Sequence, residues 1–191
     1  MGDLPGQPRA RQALTARPIP VAATSSPTCL PLGPLNTLVI APGIVSGTAA
    51  PTPGRTSFEA KSPLTGGIKE ANAGGLSWQQ IASLGIKAIV VEGQPTVTDA
   101  CYLLRVTKDG AEILPADDLA GMGMYEAYRV LWARHGNVAV VGVGPAGVCV
   151  NDKENTAGRY AGRGGLGAVM GGEGSQGHRD RRNRRARRMV E

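Results

Sequence analysis

The chain of 191 residues is long enough for one hydrophobic core or for two lobes that share it. It is 41% hydrophobic but only 4% aromatic, and its 28 glycines and 14 prolines indicate many turns. Its formal net charge of +6 belongs to the two ends, since residues 18–171 carry eleven basic and eleven acidic side chains, so the body gives no indication of a nucleic-acid-binding surface. The absence of any run of about 18 apolar residues argues against a membrane span. Three scattered cysteines without a C-x-x-C pair argue against a zinc or iron–sulfur site within the chain, and they favour a reducing cytoplasm.

The first half of the chain is predicted to form short strands and one helix. Residues 1–34 are rich in Pro, Ala, Thr, Ser and Arg, show no sustained period, and are predicted to be loop or disordered. The elements predicted after them are a buried strand at 38–40, loops joining short strands over 46–75, a helix over 77–84 with Ser77 as candidate N-cap and Gly85 as its stop, and a strand at 86–91.

The second half is predicted to contain a hairpin, a longer helix and another buried strand. These elements are a strand at 102–107, a turn at 108–110, a partner strand at 111–114, a helix capped by Asp117-Asp118 and reaching about residue 134, and a strand at 138–143. A weak internal repeat relates 38–76 to 138–166, since each runs from a strand through a Pro-Gly turn to a small-residue loop. The repeat suggests two halves whose glycine loops face one groove.

Two glycine-rich segments with arginines are candidate anion-binding sites. The first combines Arg55 with residues 61–66 and 72–75, where small residues would let a ligand approach backbone N–H groups and the arginine could grip a phosphate. The second holds Arg159 and Arg163 among glycines that could open a helix facing an anion. Taken alone, the first segment is more consistent with surface turns and a solvated arginine than with a site, and the second is equally consistent with a flexible linker.

Two further motifs have weaker functional readings. Residues 142–147 read G-x-G-x-x-G after a strand, but the polar run that follows has no helical period, which disfavours a dinucleotide site. The arginine run at 181–188 could bind RNA, but no aromatic residues are interleaved for base stacking. His135 and His178 have no partners at metal-ligand spacing and are predicted to be surface histidines.

Together these segments resemble the tungsten-dependent aldehyde:ferredoxin oxidoreductase family over residues 34–171. The motifs that carry the resemblance are, in chain order, L-N-T-L-V-I-A-P-G-I-V-S-G-T from Leu35, P-T-P-G-R from Pro51, K-S-P-L-T-G from Lys61, A-N-A-G-G from Ala71, G-I-K-A-I-V-V-E-G from Gly85, G-P-A-G at Gly144, N-D-K at Asn151 and A-G-R-G-G-L-G-A-V-M-G from Ala161. One glycine motif would carry little weight, whereas this many in the family's order are specific.

The resemblance implies an α+β fold in which two similar β-rich halves with a few helices form a cofactor-binding platform, truncated at its C-terminal end. The platform, at residues 35–171, would hold a tungsten (or molybdenum) bis-pterin with Mg²⁺. By resemblance, the cofactor-binding residues would be Arg55 at a pterin phosphate, Asn72, Ala73 and Gly74 along one wall, and Arg159, Tyr160 and Gly162 along the other, with Arg163 and Gly164 nearby. No catalytic residue and no metal ligand is expected in this chain.

The activity implied is oxidation of an aldehyde to a carboxylate in the cytoplasm, with ferredoxin as electron acceptor. The cysteine ligands of the family's [4Fe–4S] cluster lie outside the region of resemblance, so the remaining domains or a partner chain would carry them and this chain would be inactive alone. The alternatives are a non-enzymatic pterin- or anion-binding module of a split enzyme, and a basic RNA-binding protein. No nucleic-acid or membrane partner is expected on the preferred interpretation.

The sequence departs from the family at Gly172. Re-reading the following residues with permitted codons and a shift of one base gives A-K-G-V-K-A-I-V-I-D-G, which is close to the family's continuation and to the chain's own strand at 86–91. We therefore expect residues 172–191 to be a basic disordered tail that is translated out of frame.

Overall fold

The computed structural model describes residues 9–13, 25–26, 28–51, 54–95, 100–144, 147–152, 155–172 and 188–190. These residues form two β-sheets and a few short helices, so the β-rich α+β chain predicted from the sequence is confirmed at this level. The first sheet consists of β1 (Arg9–Ala13), β2 (Leu38–Pro42), β3 (Thr56–Lys61), β4 (Ile68–Ala73) and β5 (Ala88–Glu92), in the spatial order β1-β5-β2-β3-β4.

The second sheet has the spatial order β10-β9-β8-β11-β6-β7. Its strands are β6 (Tyr102–Thr107), β7 (Gly110–Pro115), β8 (Val140–Gly144), β9 (Gly147–Asp152), β10 (Asn155–Ala161) and β11 (Arg188–Val190). The helices are α1 (Ser77–Ser83), α2 (Met124–His135), α3 (Leu166–Gly171) and a single 3-10 turn at Asp117–Leu119. Neighbouring strands pair antiparallel in both sheets, apart from β11 and β6, which are parallel.

The largest hydrophobic core is shared by both sheets. Phe58 of β3 is fully buried because the strand alternates buried and partly buried residues, which is the period expected when one face of a sheet is covered. The other members include Ile40 and Ile89 of the first sheet and Val141 and Val148 of the second. The two sheets are therefore fixed to each other through apolar packing and not only through their loops.

A second core lies between α2 and the second sheet. Tyr128 and Leu131 of the helix are fully buried against Val140 and Cys149 of the sheet. The Tyr128 hydroxyl donates a hydrogen bond to the Cys149 carbonyl oxygen at 3.1 Å, so the one polar group of this side chain is satisfied in the core.

Most strands predicted from the sequence are confirmed, and the differences at helix ends have local causes. The hairpin at 102–115 and the strands at 38–42, 88–92 and 140–144 lie within a few residues of their predicted positions. The helix predicted from Asp117 to about residue 134 is wrong in its first part. Asp117 Oδ1 instead accepts a hydrogen bond from the Cys101 N–H at 2.9 Å, and Gly121, at φ +80°, separates the 3-10 turn from α2.

The start of α1 also differs from the prediction. Leu76 occupies the N-cap position, and the hydroxyl of Ser77, the predicted cap, is hydrogen-bonded to the buried Thr56 hydroxyl. The helix ends at Ser83, with Leu84 as C-cap and Gly85 following, as predicted. No helix in the described ranges has the length and hydrophobicity needed to span a bilayer.

The prediction that residues 1–34 are only loop or disordered is wrong for part of this segment. β1 pairs with β5 along its whole length, and the Ser25 hydroxyl accepts a hydrogen bond from the Thr37 N–H at 3.0 Å. The physical reason is that the apolar β5 would otherwise end the sheet as an unpaired edge. In the tail, Arg188–Val190 form β11 between β6 and β8, whereas residues 173–187 and His178 with them lie outside the described residues.

Candidate site at the seam between the two sheets

The candidate site lies where the edge strands of the two sheets meet. β4 is the last strand of the first sheet and β10 is the last strand of the second, and the two pack against each other. We call this region the seam; it comprises residues 72–74 on the first sheet and 159–163 on the second. Most of the predicted site residues therefore fall on two adjoining edges.

The first-sheet side of the seam is formed by the ends of β3 and β4. The pairing of Thr56 with Ala73 places Arg55 and Gly74 at the same end of these strands. Arg55 is exposed, and its carbonyl oxygen accepts a hydrogen bond from the Gly43 N–H at 3.2 Å. The Ala73 side chain is 1% exposed and belongs to the shared core, so only its backbone can reach a ligand.

Asn72 presents an exposed amide on the same strand. The Ser57 hydroxyl lies 2.6 Å from Asn72 Oδ1 and 2.8 Å from a Glu70 carboxylate oxygen, so it donates to one of the two at a time. Burial, followed by the charge of Glu70, raises the pKa of the neighbouring Glu59. This face of the hairpin is therefore polar and acidic, in contrast to the arginines at its end.

The second-sheet side is formed by the end of β10 and the loop after it. Arg159 and Tyr160 are both exposed, and they pair with Val150 and Cys149 of β9. The hydrogen bond with the Cys149 side chain is the largest of several causes that raise the pKa of Tyr160 to about 12. The phenol is therefore neutral at physiological pH and can act as a hydrogen-bond donor.

Direct contact between the two sides occurs at Gly74. A Cβ atom added to this glycine would lie 3.9 Å from Cγ and 4.0 Å from Cδ of Arg159. The aliphatic part of the Arg159 side chain thus passes over the backbone of the first-sheet loop. This contact brings the two predicted anion-binding segments together in one place.

A second contact joins the same two regions further along the seam. The Ser62 hydroxyl, in the turn between β3 and β4, donates a hydrogen bond to the Gly164 carbonyl oxygen at 2.7 Å. Gly164 adopts φ +71°, and a Cβ atom there would lie only 2.4 Å from Cγ of Lys69 on β4. The loop after β10 therefore lies directly on the β3–β4 turn.

The G-x-G-x-x-G motif at 142–147 forms a β-hairpin and not a nucleotide-binding turn. Gly144 pairs with Gly147 at the closed end of β8 and β9, and a strand follows the motif where a dinucleotide fold would need a helix. Gly147 has φ +111°, and a Cβ atom on it would lie 2.9 Å from Cα of Gly162. Its role is to let the hairpin approach the seam, which the sequence motif alone did not indicate.

The charges at the seam favour an anion. Arg105 forms an ion pair with Glu112 and Arg134 forms one with Asp118, and neither pair lies at the seam. The exposed guanidinium groups of Arg55, Arg159 and Arg163 thus have no carboxylate partner among the residues that the structure describes. The guanidinium groups of arginine and the exposed N–H groups of a glycine-rich backbone are hydrogen-bond donors that bind phosphate.

Metal-ligand side chains do not gather at the seam. Over the described part of the chain, no three Cys, His, Asp or Glu side chains are grouped so as to hold a metal ion. The cysteines at positions 29, 101 and 149 are all buried. The arrangement can therefore grip a phosphorylated molecule, and the described side chains offer no metal centre of their own.

The fold and the site together describe a β-rich protein that has an arginine-lined seam between two sheets. A family model described as aldehyde ferredoxin oxidoreductase, N-terminal domain, matches residues 12–174, and the chain belongs to this family. The match ends close to Gly172, where the sequence departs from the family's motifs.

Individual relatives agree with this assignment. The tungsten-containing aldehyde ferredoxin oxidoreductase of Pyrococcus furiosus is 40% identical over 150 residues, which cover 76% of this chain and 24% of the relative. The protein of the same name from Thermococcus kodakarensis is 40% identical over 146 residues, which cover 74% of this chain and 24% of the relative. The chain thus spans about a quarter of the length of these relatives.

A solved structure supports the fold. The active site complex BamBC of benzoyl coenzyme A reductase, in complex with 1,5-dienoyl-CoA, matches with a TM-score of 0.68 and 26% identity, covering 86% of this chain and 24% of that chain. The β-rich architecture described above is therefore shared with a further oxidoreductase component.

Proposed function

We propose that the seam between β4 and β10 binds a phosphorylated metal–pterin molecule, a tungsten (or molybdenum) bis-pterin with Mg²⁺. The observation that carries the proposal is the position of the Arg159 side chain beside Gly74, since it brings an arginine of one sheet next to the glycine loop of the other. Membership of a family whose relatives are named as tungsten-containing supports the choice of ligand.

The residues present fit such a ligand. Arg55 and Arg159 would each hold a phosphate, Asn72 and the backbone of Ala73 and Gly74 would form one wall, and Tyr160, Gly162 and Arg163 would form the other. A Cβ atom at Gly74 would lie at ordinary van der Waals distance from the Arg159 side chain, so the two walls adjoin at this point without a clash. The pterin groups themselves would hold the metal, which fits a seam where the described residues include arginine and glycine and no cluster of metal-ligand side chains.

The two sheets are proposed to be the two similar halves of a platform. In the first, β2, β3 and β4 form a meander, α1 follows, and β5 returns to pair with β2. In the second, β8, β9 and β10 form a meander, α3 follows, and β11 lies beside β8. This common order supports the weak sequence repeat and places each glycine loop after the third strand of its meander.

The activity proposed for the whole protein is oxidation of an aldehyde to a carboxylate with transfer of electrons to ferredoxin. When bound, the metal–pterin group supplies the two-electron redox chemistry, whereas the residues of this chain bind and orient the group. The [4Fe–4S] cluster and its cysteines would come from the remaining domains or from a partner chain, because the chain spans about a quarter of its relatives. Three scattered, buried cysteines are compatible with a reducing cytoplasm.

The tail after Gly172 is proposed to be translated out of frame. The family match ends at residue 174, close to the point where the re-reading begins, and β11 occupies the place beside β8 that β5 occupies beside β2. Resequencing the coding DNA tests this directly. A single-base shift that restores an apolar strand is expected, and an intact reading frame without such a shift would refute it.

Cofactor retention tests the binding proposal. The 191-residue chain should be produced in a tungstate-fed host that synthesises the pterin, and the folded fraction analysed for tungsten and for fluorescent oxidised pterin. We expect about two pterins per tungsten and no aldehyde oxidation by the chain alone. Arg159→Ala should lower both contents about tenfold, as expected for loss of a charge-assisted phosphate contact.

The matched control is Arg105→Ala. Arg105 is also an exposed arginine, but it lies on β6, away from the β10 edge of the second sheet, and its exposed pair with Glu112 contributes little to stability. The Arg105→Ala chain should retain as much tungsten and pterin as the wild type. Folded wild-type chain that contains neither tungsten nor pterin would refute the proposal.

A further inference from the structure

Ser62 is a fully buried residue whose hydroxyl makes three hydrogen bonds. It donates to the Gly164 carbonyl oxygen at 2.7 Å and accepts from the backbone N–H groups of Leu64 and Thr65, each at 3.2 Å. A hydroxyl has one donor and two acceptor positions, so the capacity of this side chain is fully used. Two of its bonds shape the β3–β4 turn, and the third crosses to the loop after β10.

Close packing surrounds the bond that crosses the seam. A Cβ atom at Gly164 would lie 2.4 Å from Cγ of Lys69, and one at Gly165 would lie 2.8 Å from Cγ of Pro63. The loop at 162–165 therefore lies against the β3–β4 turn with no space for an intervening side chain. Within this packed region, Ser62 supplies a hydrogen bond, which is a directional interaction.

The turn itself is fixed to the first sheet by Asn36. Its side-chain amide donates to the carbonyl oxygen of Lys61, and its Oδ1 accepts from the Lys61 N–H, both at 3.0 Å. The same amide nitrogen donates to the Pro31 carbonyl oxygen at 2.6 Å, and Asn36 is 7% exposed. The backbone of Lys61 is thus hydrogen-bonded through both its N–H and its carbonyl group, as it would be by a neighbouring strand.

We propose that Ser62 is a positioning residue that sets the separation between the two walls of the seam. The inference rests on the proposed function, because the walls matter only if one ligand lies between them. Ser62 belongs to the sheet that carries Asn72, and its bond holds the residue next to Arg163. A fully buried side chain touches no ligand, so its effect on binding would pass through Gly164.

Ser62→Ala tests the proposal against a matched serine. Ser77 is 2% exposed and its hydroxyl bonds to Thr56 inside the first sheet, away from the loop at 162–165. Both substitutions remove one buried hydroxyl and should lower thermal stability, and Ser62→Ala should lower it more because it removes three hydrogen bonds where Ser77→Ala removes one. Only Ser62→Ala should lower tungsten and pterin per folded chain, by about tenfold, and speed amide exchange over residues 162–166.

Each outcome has a defined meaning. Wild-type chain without pterin would refute the proposed function, whereas wild-type retention with equal contents in Ser62→Ala and Ser77→Ala would refute only the role of Ser62. If Ser62→Ala yields no folded chain, Gly165→Ala disturbs the same contact from the loop, because its Cβ atom would meet Pro63. Gly165→Ala that retains cofactor at the wild-type level would overturn the proposal.

Discussion

The two glycine loops of the seam differ in what holds them. The loop at 72–75 continues directly from β4, whose six residues all pair with β3, so the first sheet fixes its position. The loop at 162–165 follows β10, whose pairing with β9 is interrupted by a register shift between Asn155 and Arg159. Its position depends instead on Ser62, Pro63 and Lys69 of the other sheet and on Gly147 of the β8–β9 hairpin.

The second wall is therefore held by residues that are distant from it in the sequence. Changes in the first sheet should therefore affect both walls, since the first sheet supports its own loop and also the turn beneath the other. Changes at the contacts around 162–165 should affect the second wall alone.

The largest effect is expected from Phe58→Ala. Phe58 is fully buried in the shared core and lies opposite Ala71 of β4, so its loss leaves a cavity beneath the first wall. The free energy of unfolding should fall by about 4 kcal/mol in urea titration. Amide exchange should rise in both loops, and a rise confined to one sheet would show that the cores are independent.

Gly147→Ala should be the next most damaging change. At φ +111° an alanine is strained, and its Cβ atom would lie 2.9 Å from Cα of Gly162 and 3.0 Å from the Ala161 carbonyl oxygen. We expect a loss of about 3 kcal/mol, combining strain and overpacking. The control is Gly66→Ala, since Gly66 has φ +71° with no atom within 4 Å of the added Cβ, and it should cost only about 1 kcal/mol. Equal losses would contradict the close approach of the hairpin to the seam.

Gly164→Ala and Lys69→Ala form a double-mutant cycle across the seam. The alanine at 164 would clash with Cγ of Lys69, an atom that Lys69→Ala removes, while the Lys69 Cβ atom would remain at 3.1 Å. Lys69→Ala should therefore relieve about 1 kcal/mol of the cost of Gly164→Ala. Strict additivity of the two changes would place Lys69 away from the second loop in solution.

The smallest effect concerns pH and the acidic face of the first sheet. Because the pKa of Glu59 is raised by burial and by Glu70, its contribution to stability is present at low pH and is lost as pH rises through the folded-state pKa. Glu59→Gln should match the wild type near pH 3 and exceed it at pH 7 by less than about 1 kcal/mol after solvent screening. Thermal melts at both pH values measure the difference; a variant less stable than wild type at pH 7 would contradict this assignment.

Much of the fold follows from local patterns, whereas the support of the site does not. Apolar runs such as those at 88–92 and 140–144 predict strands because both of their faces are covered. β1 was missed because its R-A-R-Q-A sequence has no apolar period and it forms by pairing with β5. Glycine and arginine motifs pointed to the two sides of the seam, but the Ser62 bond to Gly164 spans 102 positions, and no local pattern indicates it.

If both walls close on one molecule, amide hydrogen exchange should slow in both walls when that molecule is bound. The chain purified with tungsten and pterin should be compared with the same chain after the cofactor is removed. Residues 72–75 and 158–164 should gain protection together in the loaded chain, while the β6–β7 hairpin at 102–115 should be unchanged. Protection of only one of the two segments, or of neither, would contradict the binding of one molecule between both walls.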